Sequence, residues 1–343
     1  MWALPENLAK LKNDGKVTRA DSEEGGRMRG PATESADVPD NVYIDGKLTE
    51  MGIAALQALA PKALSQKEEE HQPFFLGLGF RKPHLPFCAP KKYWDMYDRS
   101  KIPMPYPYHP KNAPDIAFAS WGELRSYSDI PDIGPCDEAK TKELIHGYYA
   151  CVSFIDAQVG MLMAELDRLK LRKDTIIVLW GDHGWKLGEY SEWSKHTNFE
   201  LDTHAPLIIS DPDSPKGIKV NALAEFVDVY PTLTDLCGLP DSPGMEGISL
   251  VPLFSDPERE WKKAAFSQYP RKKNKIMGYS MRTDQYRYNE WIDQKTKEIL
   301  YTELYDLKND PICKESIVFK PENKELVEKL HKMMTAGWQN AKP

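Results

Sequence analysis

The stretch Thr175–Asn198 (TIIVLWGDHGWKLGEYSEWSKHTN) constrains the fold more than any other part of the chain. It opens with Thr175–Trp180, a run that is mostly apolar and β-branched and lacks polar alternation, which predicts a strand covered on both faces. The run stops at Gly181, and Asp182 and His183 follow at once. Open α/β sheets place their ligands just past the carboxyl ends of the strands, so this turn is a candidate binding site.

Two further polar residues, Lys195 and His196, follow a loop that is rich in Trp, Tyr and Glu. Together with Asp182 and His183 they predict half of a site for a metal ion and an anion. A lone Asp-His pair after a strand would suit an ordinary polar loop equally well, so the prediction depends on the wider pattern.

A second strand end carries a histidine in the same way. The apolar run Pro73–Phe80 predicts another buried strand, and it leads into Arg81-Lys82-Pro83-His84. Prolines on either side stiffen this loop and fix the direction of His84. The structural alternative for His84 is a loop histidine that only makes local hydrogen bonds.

The remaining pattern predicts an α/β architecture. Helical periodicity covers 47–68 and 137–170, a short apolar strand covers Ala205–Ser210, and Phe226–Leu233 leads into a helix with Pro231 in its first turn. Strands and helices that alternate in this way predict a mostly parallel sheet with helices on both faces.

The pattern changes near residue 256. Residues 277–283, 286–291 and 303–306 alternate between apolar and polar side chains, which predicts antiparallel strands, and 321–338 predicts a closing helix. We therefore predict an α/β domain over 1–255 and a small α+β lobe over 256–343. The polar composition of 1–45 favours a flexible N-terminal arm.

Composition excludes several classes of function. The net charge of -7 argues against a general nucleic-acid binder. The sequence has no run of about eighteen apolar residues, so no membrane span is predicted. The N-terminal sequence lacks a signal-peptide pattern, so no compartment is assigned. The five cysteines form no CxxC pair, which argues against a zinc knuckle or a dense disulfide framework.

Six segments resemble the sulfatase family, and most closely its iduronate-2-sulfatase branch. They are FFLGLGFRKPHLPF, WGDHGWKLGEYSEWSKHTNF, THAPLII, FVDVYPTL, MGYSMRTDQYRYNEW and ELYDLKNDP, in order from about residue 70 to 310. The segment that begins WGDHGW is highly specific, and KPHLPF is distinctive of this branch. The resemblance implies an alkaline-phosphatase-like α/β fold, incomplete at its N-terminus here, that hydrolyses sulfate monoesters of a sulfated sugar with one bound calcium ion.

The resemblance also implies roles for individual residues. Asp182 and His183 match metal-site positions, and a carboxylate-rich site suits a hard divalent cation. Lys195 matches a lysine that contacts the sulfate and neutralises oxygen charge as the S–O bond breaks. His84 matches a sulfate contact or proton donor to the leaving alcohol. Trp185 and His196 are further substrate-binding candidates, and simple packing is the alternative for Trp185.

This sequence departs from the family pattern at the nucleophile. The Cys-x-Pro-Ser-Arg motif, whose cysteine becomes formylglycine, is absent, and Cys88-Ala89-Pro90 lacks the Ser and Arg. The early Asp-Asp metal pair is absent too. The chain is therefore expected to correspond to the C-terminal two-thirds of a sulfatase, with an exposed sheet edge and apolar face that favour association.

Two other functions stay open at this stage. One is a phosphatase or phosphonate hydrolase of the same superfamily, which is disfavoured because only Thr203-His204 offers a later histidine motif. The other is a non-catalytic remnant that keeps an anion pocket of Lys195, His84 and Arg81.

Overall fold

The computed structural model describes residues 30–119, 123–240 and 242–343. They divide into two compact units. The first contains the described residues up to 106 together with 123–175, and the second contains 107–119 together with 176–343. The predicted boundary at residue 255 lies inside the second unit and stays a prediction.

The elements have the following bounds. The α-helices are α1 (Ile44–Ala63), α2 (Lys91–Trp94), α3 (Glu138–Arg168), α4 (Glu200–Thr203), α5 (Val229–Leu236), α6 (Pro252–Ser255) and α7 (Lys324–Ala336). The strands are β1 (Thr33–Glu34), β2 (Phe87–Cys88), β3 (Ile177–Trp180), β4 (Lys186–Leu187), β5 (Trp193–Ser194), β6 (Leu207–Ser210), β7 (Ala265–Arg271), β8 (Ile276–Arg282), β9 (Tyr286–Asp293) and β10 (Ile299–Asp306). Short 3₁₀ helices lie at Asp40–Val42, Arg99–Lys101, Asp115–Ala117, Leu124–Ser126, Arg172–Asp174, Glu189–Ser191, Phe226–Asp228, Pro321–Asn323 and Trp338–Ala341.

The first unit is built around α1 and α3, which confirms both predicted helices. The side chain of Asp137 caps α3 by accepting a hydrogen bond from the Lys140 backbone N–H at 2.7 Å. Leu144 and Phe154 of α3 are fully buried in the core of this unit. Residues 1–29 of the predicted arm lie outside the described residues. Its remainder is no arm, because β1 pairs in parallel with β2 and Tyr43 is buried.

In the described part of the chain, α3 is the one helix that is long and apolar enough to cross a membrane. A core helix of a globular protein passes the same test of length and composition. Leu144, Ala150 and Phe154 of α3 are fully buried within the unit, whereas Val152 is 44% and Met161 39% exposed.

The strand predicted over Pro73–Phe80 does not form. These residues have no regular secondary structure, and the side chain of Phe75 is 89% exposed. The reason is the lack of a partner: no strand among the described residues pairs with this segment.

The second unit contains the strand predicted at Thr175–Trp180, as β3, and the strand predicted at Ala205–Ser210, as β6. The two pair with each other, antiparallel, as a two-stranded sheet. The prediction that β3 is covered on both faces is wrong, because none of its four residues is buried and Trp180 is 51% exposed. Among the described strands, the one parallel pairing is β1 with β2, so the mostly parallel sheet expected from the alternation is not formed by them.

The predicted antiparallel strands are confirmed and belong to a four-stranded sheet in the order β10-β9-β8-β7. The strand β7 was not predicted. On one face of the sheet, Leu330 of α7 packs into a cluster with Met281, Tyr288 and Leu304, which confirms the closing helix. Pro231 in the first turn of α5 is confirmed too.

Candidate functional site

The site loop, residues 181–204, begins after β3 and ends just before β6. It contains the short strands β4 and β5 and the helix α4. Its ends are held together by backbone hydrogen bonds from Gly181 to Pro206 at 3.0 Å and from Gly184 to Asp202 at 2.8 Å. A Cβ atom at Gly184 would lie 2.0 Å from the carbonyl oxygen of Leu201. Only glycine lets the two parts of the loop approach so closely.

Asp182 and His183 lie side by side at the start of this loop, as predicted. His183 Nε2 is 3.5 Å from Asp182 Oδ2, and the carboxylate is 85% exposed. The ring of His183 contacts the carbonyl oxygen of Gly184 through Nδ1 at 2.8 Å, so Nδ1 carries the proton and Nε2 keeps its lone pair when the ring is neutral. A backbone carbonyl that fixes the far nitrogen in this way is typical of histidines that bind metals.

These two side chains fit part of a metal site. They offer one carboxylate and one imidazole nitrogen on the same side of the turn, whereas calcium takes six to eight oxygen ligands. No group of three or more His, Cys, Asp or Glu side chains arranged for a metal occurs within 30–119, 123–240 and 242–343. The described residues therefore supply at most a fraction of the coordination sphere.

Lys195 and Trp185 are brought together by a small hairpin of β4 and β5. Lys186 pairs in register with Ser194, so the preceding Trp185 and the following Lys195 face each other across the hairpin. Lys195 Nζ lies 4.5 Å from the centre of the Trp185 ring, a cation–π contact. The same ring stacks on His183 with centroids 5.9 Å apart. Four predicted residues, Asp182, His183, Trp185 and Lys195, thus form one continuous surface.

His196 is exposed, and it contacts Tyr269, a residue that sequence reasoning missed. The backbone of His196 adopts a φ of 90°, and its ring stacks on Tyr269 of β7 with centroids 5.5 Å apart. Tyr269 is itself in contact with the guanidinium of Arg271, 4.8 Å from its ring centre. No local signal marks Tyr269, because it follows His196 by more than seventy positions in the sequence.

The site loop is anchored to the four-stranded sheet. Asn198 donates a hydrogen bond to the Gly278 carbonyl at 2.9 Å, and Phe199 packs on Tyr305 with ring centroids 5.8 Å apart. Glu200 accepts hydrogen bonds from Arg287 at 3.2 Å and from Arg282 at 3.4 Å. These contacts cover the face of the sheet opposite to α7.

Beneath the loop lies a buried ionic cluster that sequence reasoning also missed. Lys186 is fully buried, and its ammonium lies 2.7 Å from Asp202, 3.0 Å from Glu192 and 2.9 Å from the Thr197 hydroxyl. Burial raises the pKa of Glu192 against the opposing effect of Lys186. A lysine between Trp185 and Leu187 in the sequence gives no sign that it is buried.

His84 lies in the first unit, in the stiff loop that was predicted. Its Nδ1 contacts the Leu85 carbonyl at 2.8 Å, and its Nε2 lies 2.9 Å from a carboxylate oxygen of Glu123. Asp45 anchors the loop by accepting hydrogen bonds from the backbone N–H groups of Arg81, at 2.8 Å, and Lys82, at 3.1 Å. Sequence reasoning missed Glu123, which lies almost forty residues away along the chain.

Cys88 has none of the features of a nucleophile. Its side chain is fully buried in β2, and burial raises the pKa of the thiol well above its ordinary value. A reactive cysteine needs an accessible thiolate, so Cys88-Ala89-Pro90 is a coincidental match, as the sequence predicted.

Comparison with known families identifies the chain's relatives. The sulfatase family model matches residues 24–239, and the model for the C-terminal region of N-sulphoglucosamine sulphohydrolase matches 188–340. The chain is 32% identical to the iduronate 2-sulfatase of Mus musculus over 81% of its own length, and 31% identical to that of Homo sapiens over 91%. It spans 62% of the mouse protein and 69% of the human one.

Solved structures of known proteins share the fold. A phosphonate monoester hydrolase from Silicibacter pomeroyi superposes with a TM-score of 0.77 at 21% identity, covering 98% of this chain and 69% of that one. A protein solved in complex with its substrate D-glucosamine-2-N,6-O-disulfate superposes with a TM-score of 0.69 at 21% identity, covering 86% of this chain and 70% of that one. These neighbours confirm the alkaline-phosphatase-like α/β fold class. On the family match and on the identity to both iduronate 2-sulfatases, the chain belongs to the sulfatase family, whose members are sulfuric ester hydrolases.

Proposed function

We propose that this chain provides the sulfate-binding and leaving-group part of a sulfatase that acts on a sulfated sugar. The observation that carries the proposal is the contact of Lys195 with Trp185, next to His183 and Asp182. An indole face stabilises a cation beside it, and an ammonium group attracts a sulfate anion. Two of its relatives are, by their name, iduronate 2-sulfatases, and one structural neighbour was solved with a sulfated glucosamine.

Lys195 is assigned to the sulfate oxygens. As the S–O bond breaks, negative charge grows on the departing oxygen and on the sulfate, and an ammonium placed beside them lowers the energy of that state. Trp185 holds Lys195 in place, and His196 extends the surface towards Tyr269, where the sugar ring would lie.

His84 is assigned to the leaving alcohol. Its ring contacts a carbonyl through one nitrogen and a carboxylate through the other. These two contacts fix the direction of the imidazole that would give a proton to the leaving alcohol.

Asp182 and His183 are assigned to a divalent cation, which we propose to be calcium. When bound, it would polarise the sulfate as a Lewis acid. The two residues would supply a carboxylate oxygen and an imidazole nitrogen, which is part of the six to eight ligands that calcium takes. The sequence contains no Cys-x-Pro-Ser-Arg motif, so we assign no nucleophile to these 343 residues.

The test measures binding and hydrolysis together. We expect a disaccharide of a 2-O-sulfated uronic acid to bind the chain by titration calorimetry, and Lys195→Met to weaken binding about tenfold, or about 1.4 kcal/mol. Lys308→Met removes the same charge from an exposed turn and serves as the control. Binding that is absent, or that both variants weaken equally, contradicts the proposal.

Ion chromatography of released sulfate separates the proposal from its alternative. The alternative is a chain that binds anions without catalysis, and the missing nucleophile motif favours it. Release of sulfate by the isolated chain would exclude this alternative, whereas Lys195-dependent binding without release would support it.

A further inference from the structure

The buried cluster under the site loop joins three distant parts of that loop at one ammonium group. Lys186 is 0% exposed, and the side chains of Glu192 and Asp202 are 3% and 2% exposed. Removing three charged groups from water is costly unless each is well paired. The ring of Phe199, whose centre lies 5.8 Å from the Lys186 ammonium, helps to exclude water from the cluster.

The position of the cluster relates it directly to the proposed sulfate contact. Lys186 directly follows Trp185, and its partner across the hairpin, Ser194, directly precedes Lys195. On the other side of the loop, Asp202 accepts a hydrogen bond from the Thr197 backbone at 2.8 Å. The buried Lys186, which holds the loop, is therefore next in sequence to Trp185, whose ring contacts Lys195.

The backbone around Lys195 needs such an anchor. Ser194 and His196, on either side of it, have φ values of 73° and 90°, a region that residues with a Cβ rarely occupy. Such conformations persist only where the surroundings enforce them. The hydrogen bonds of Thr197 to Asp202 and Lys186 lie one residue beyond His196 and hold this part of the loop in place.

We infer that Lys186 is a positioning residue for the Trp185–Lys195 pair, and through it for the sulfate group of the substrate. This inference rests on the proposed assignment of Lys195 to sulfate. Lys186 does not touch the ligand, because its ammonium faces two buried carboxylates and the Thr197 hydroxyl. Its role is to keep the hairpin register that places Lys195 over the indole face.

A matched control exists in the same unit. Lys262 is also a buried lysine, 3% exposed, and its ammonium pairs with two carboxylates, Asp228 at 2.7 Å and Glu225 at 2.7 Å. It belongs to no part of the site loop. Lys262→Met and Lys186→Met therefore remove equivalent interactions, and a purely structural role would give both variants the same properties.

The experiment measures inorganic sulfate binding by calorimetry and the ring-current shift of the Lys195 side-chain protons by NMR. We expect Lys186→Met to weaken sulfate binding about tenfold, since register is lost at the contact itself, and to abolish the upfield shift that the Trp185 ring imposes on Lys195. Lys262→Met should retain both properties. The inference is overturned if Lys186→Met also retains both, or if the two variants lose both equally.

Two further readings keep the test decisive. If Lys186→Met does not fold, Thr197→Val, which removes only a hydroxyl group from the cluster, should weaken binding about threefold and reduce the ring-current shift; unchanged values would overturn the inference. If the unmutated chain does not bind sulfate, the proposed function fails, and the NMR shift alone still shows whether Lys186 positions Lys195.

Discussion

The four-stranded sheet of β7 to β10 is covered on both faces. The two-stranded sheet formed by β3 and β6 leaves much of its apolar surface in water. In the first sheet, α7 packs on one face and the site loop on the other. In the second, Trp180 and Ile208 are more than half exposed. The difference shows that coverage depends on what packs against a sheet and not on how apolar its strands are.

The covered face of the larger sheet is largely polar. Arg287, Asn289 and Glu303 are all buried there. Glu303 accepts hydrogen bonds from Trp291 Nε1 at 2.7 Å and from the Tyr305 hydroxyl at 2.6 Å, and burial raises the pKa of its carboxyl. Polar groups can be buried without a large penalty when they are hydrogen-bonded, so the burial of Glu303 depends on these bonds.

The largest expected effect is at Trp291, which is fully buried between Glu303 and the guanidinium of Arg271, 5.2 Å from its ring. Trp291→Ala should lower the free energy of unfolding by about 3–5 kcal/mol, because it leaves a cavity and removes one hydrogen bond from the buried Glu303 carboxylate. Trp180→Ala is the matched change on β3, and should cost less than about 1 kcal/mol because half of that side chain is already in water. Urea unfolding followed by circular dichroism measures both. Equal losses would show that β3 is better covered than its exposure indicates.

A smaller, pH-dependent effect is expected at Glu200, which ties the site loop to the covered sheet. Burial raises the pKa of Glu200. The hydrogen bond with His204 and the guanidinium of Arg287 lower this pKa by more than burial raises it, so that it lies below its usual range. The hydrogen bond with Glu200 raises the pKa of His204 above 6.5. The contribution of Glu200 to the free energy of unfolding is present above pH 4.5 and is lost as the pH falls through the pKa of Glu200 in the folded state. That of His204 is present below pH 6.5 and is lost as the pH rises through its own folded pKa.

Both contributions therefore coexist between pH 4.5 and 6.5. Glu200→Gln should lower the free energy of unfolding by about 2 kcal/mol in this window, and by less at pH 3 and pH 8. Urea unfolding at pH 3, 5.5 and 8 tests this. Glu298→Gln, at an exposed turn between β9 and β10, is the control and should change little. A loss at Glu200 that does not vary with pH would contradict the assigned ion pairs.

The same comparison shows how far the sequence alone could go. Periodicity located α1, α3 and the strands β8–β10, because these signals are local. The position of Asp182, His183 and Lys195 after a strand located the site loop for the same reason. The burial of β3 and the pairing of 73–80 could not be predicted, because both depend on which segments pack alongside.

The residues that support the site were missed for a related reason. Lys186 pairs with Asp202, sixteen positions away, His84 with Glu123, and His196 with Tyr269. A lysine or glutamate in a loop is usually exposed, and only tertiary contacts reveal that these side chains are buried or paired. Sequence reasoning therefore located the outward-facing residues and not the groups that hold them.

The smallest expected effect on stability is at Ile208 of β6, which is 59% exposed. Ile208→Lys should change the free energy of unfolding by no more than about 0.5 kcal/mol, because the side chain is mostly in water. It should nevertheless reduce association, since a charge on an exposed apolar strand opposes pairing with another chain. Tyr301→Lys is the control: Tyr301 is 49% exposed on β10, at the edge of the covered sheet. Sedimentation velocity should show more monomer for Ile208→Lys than for Tyr301→Lys. Equal monomer fractions in both variants would mean that the uncovered face of β3–β6 does not drive association, and that exposed strand edges contribute alike in both sheets.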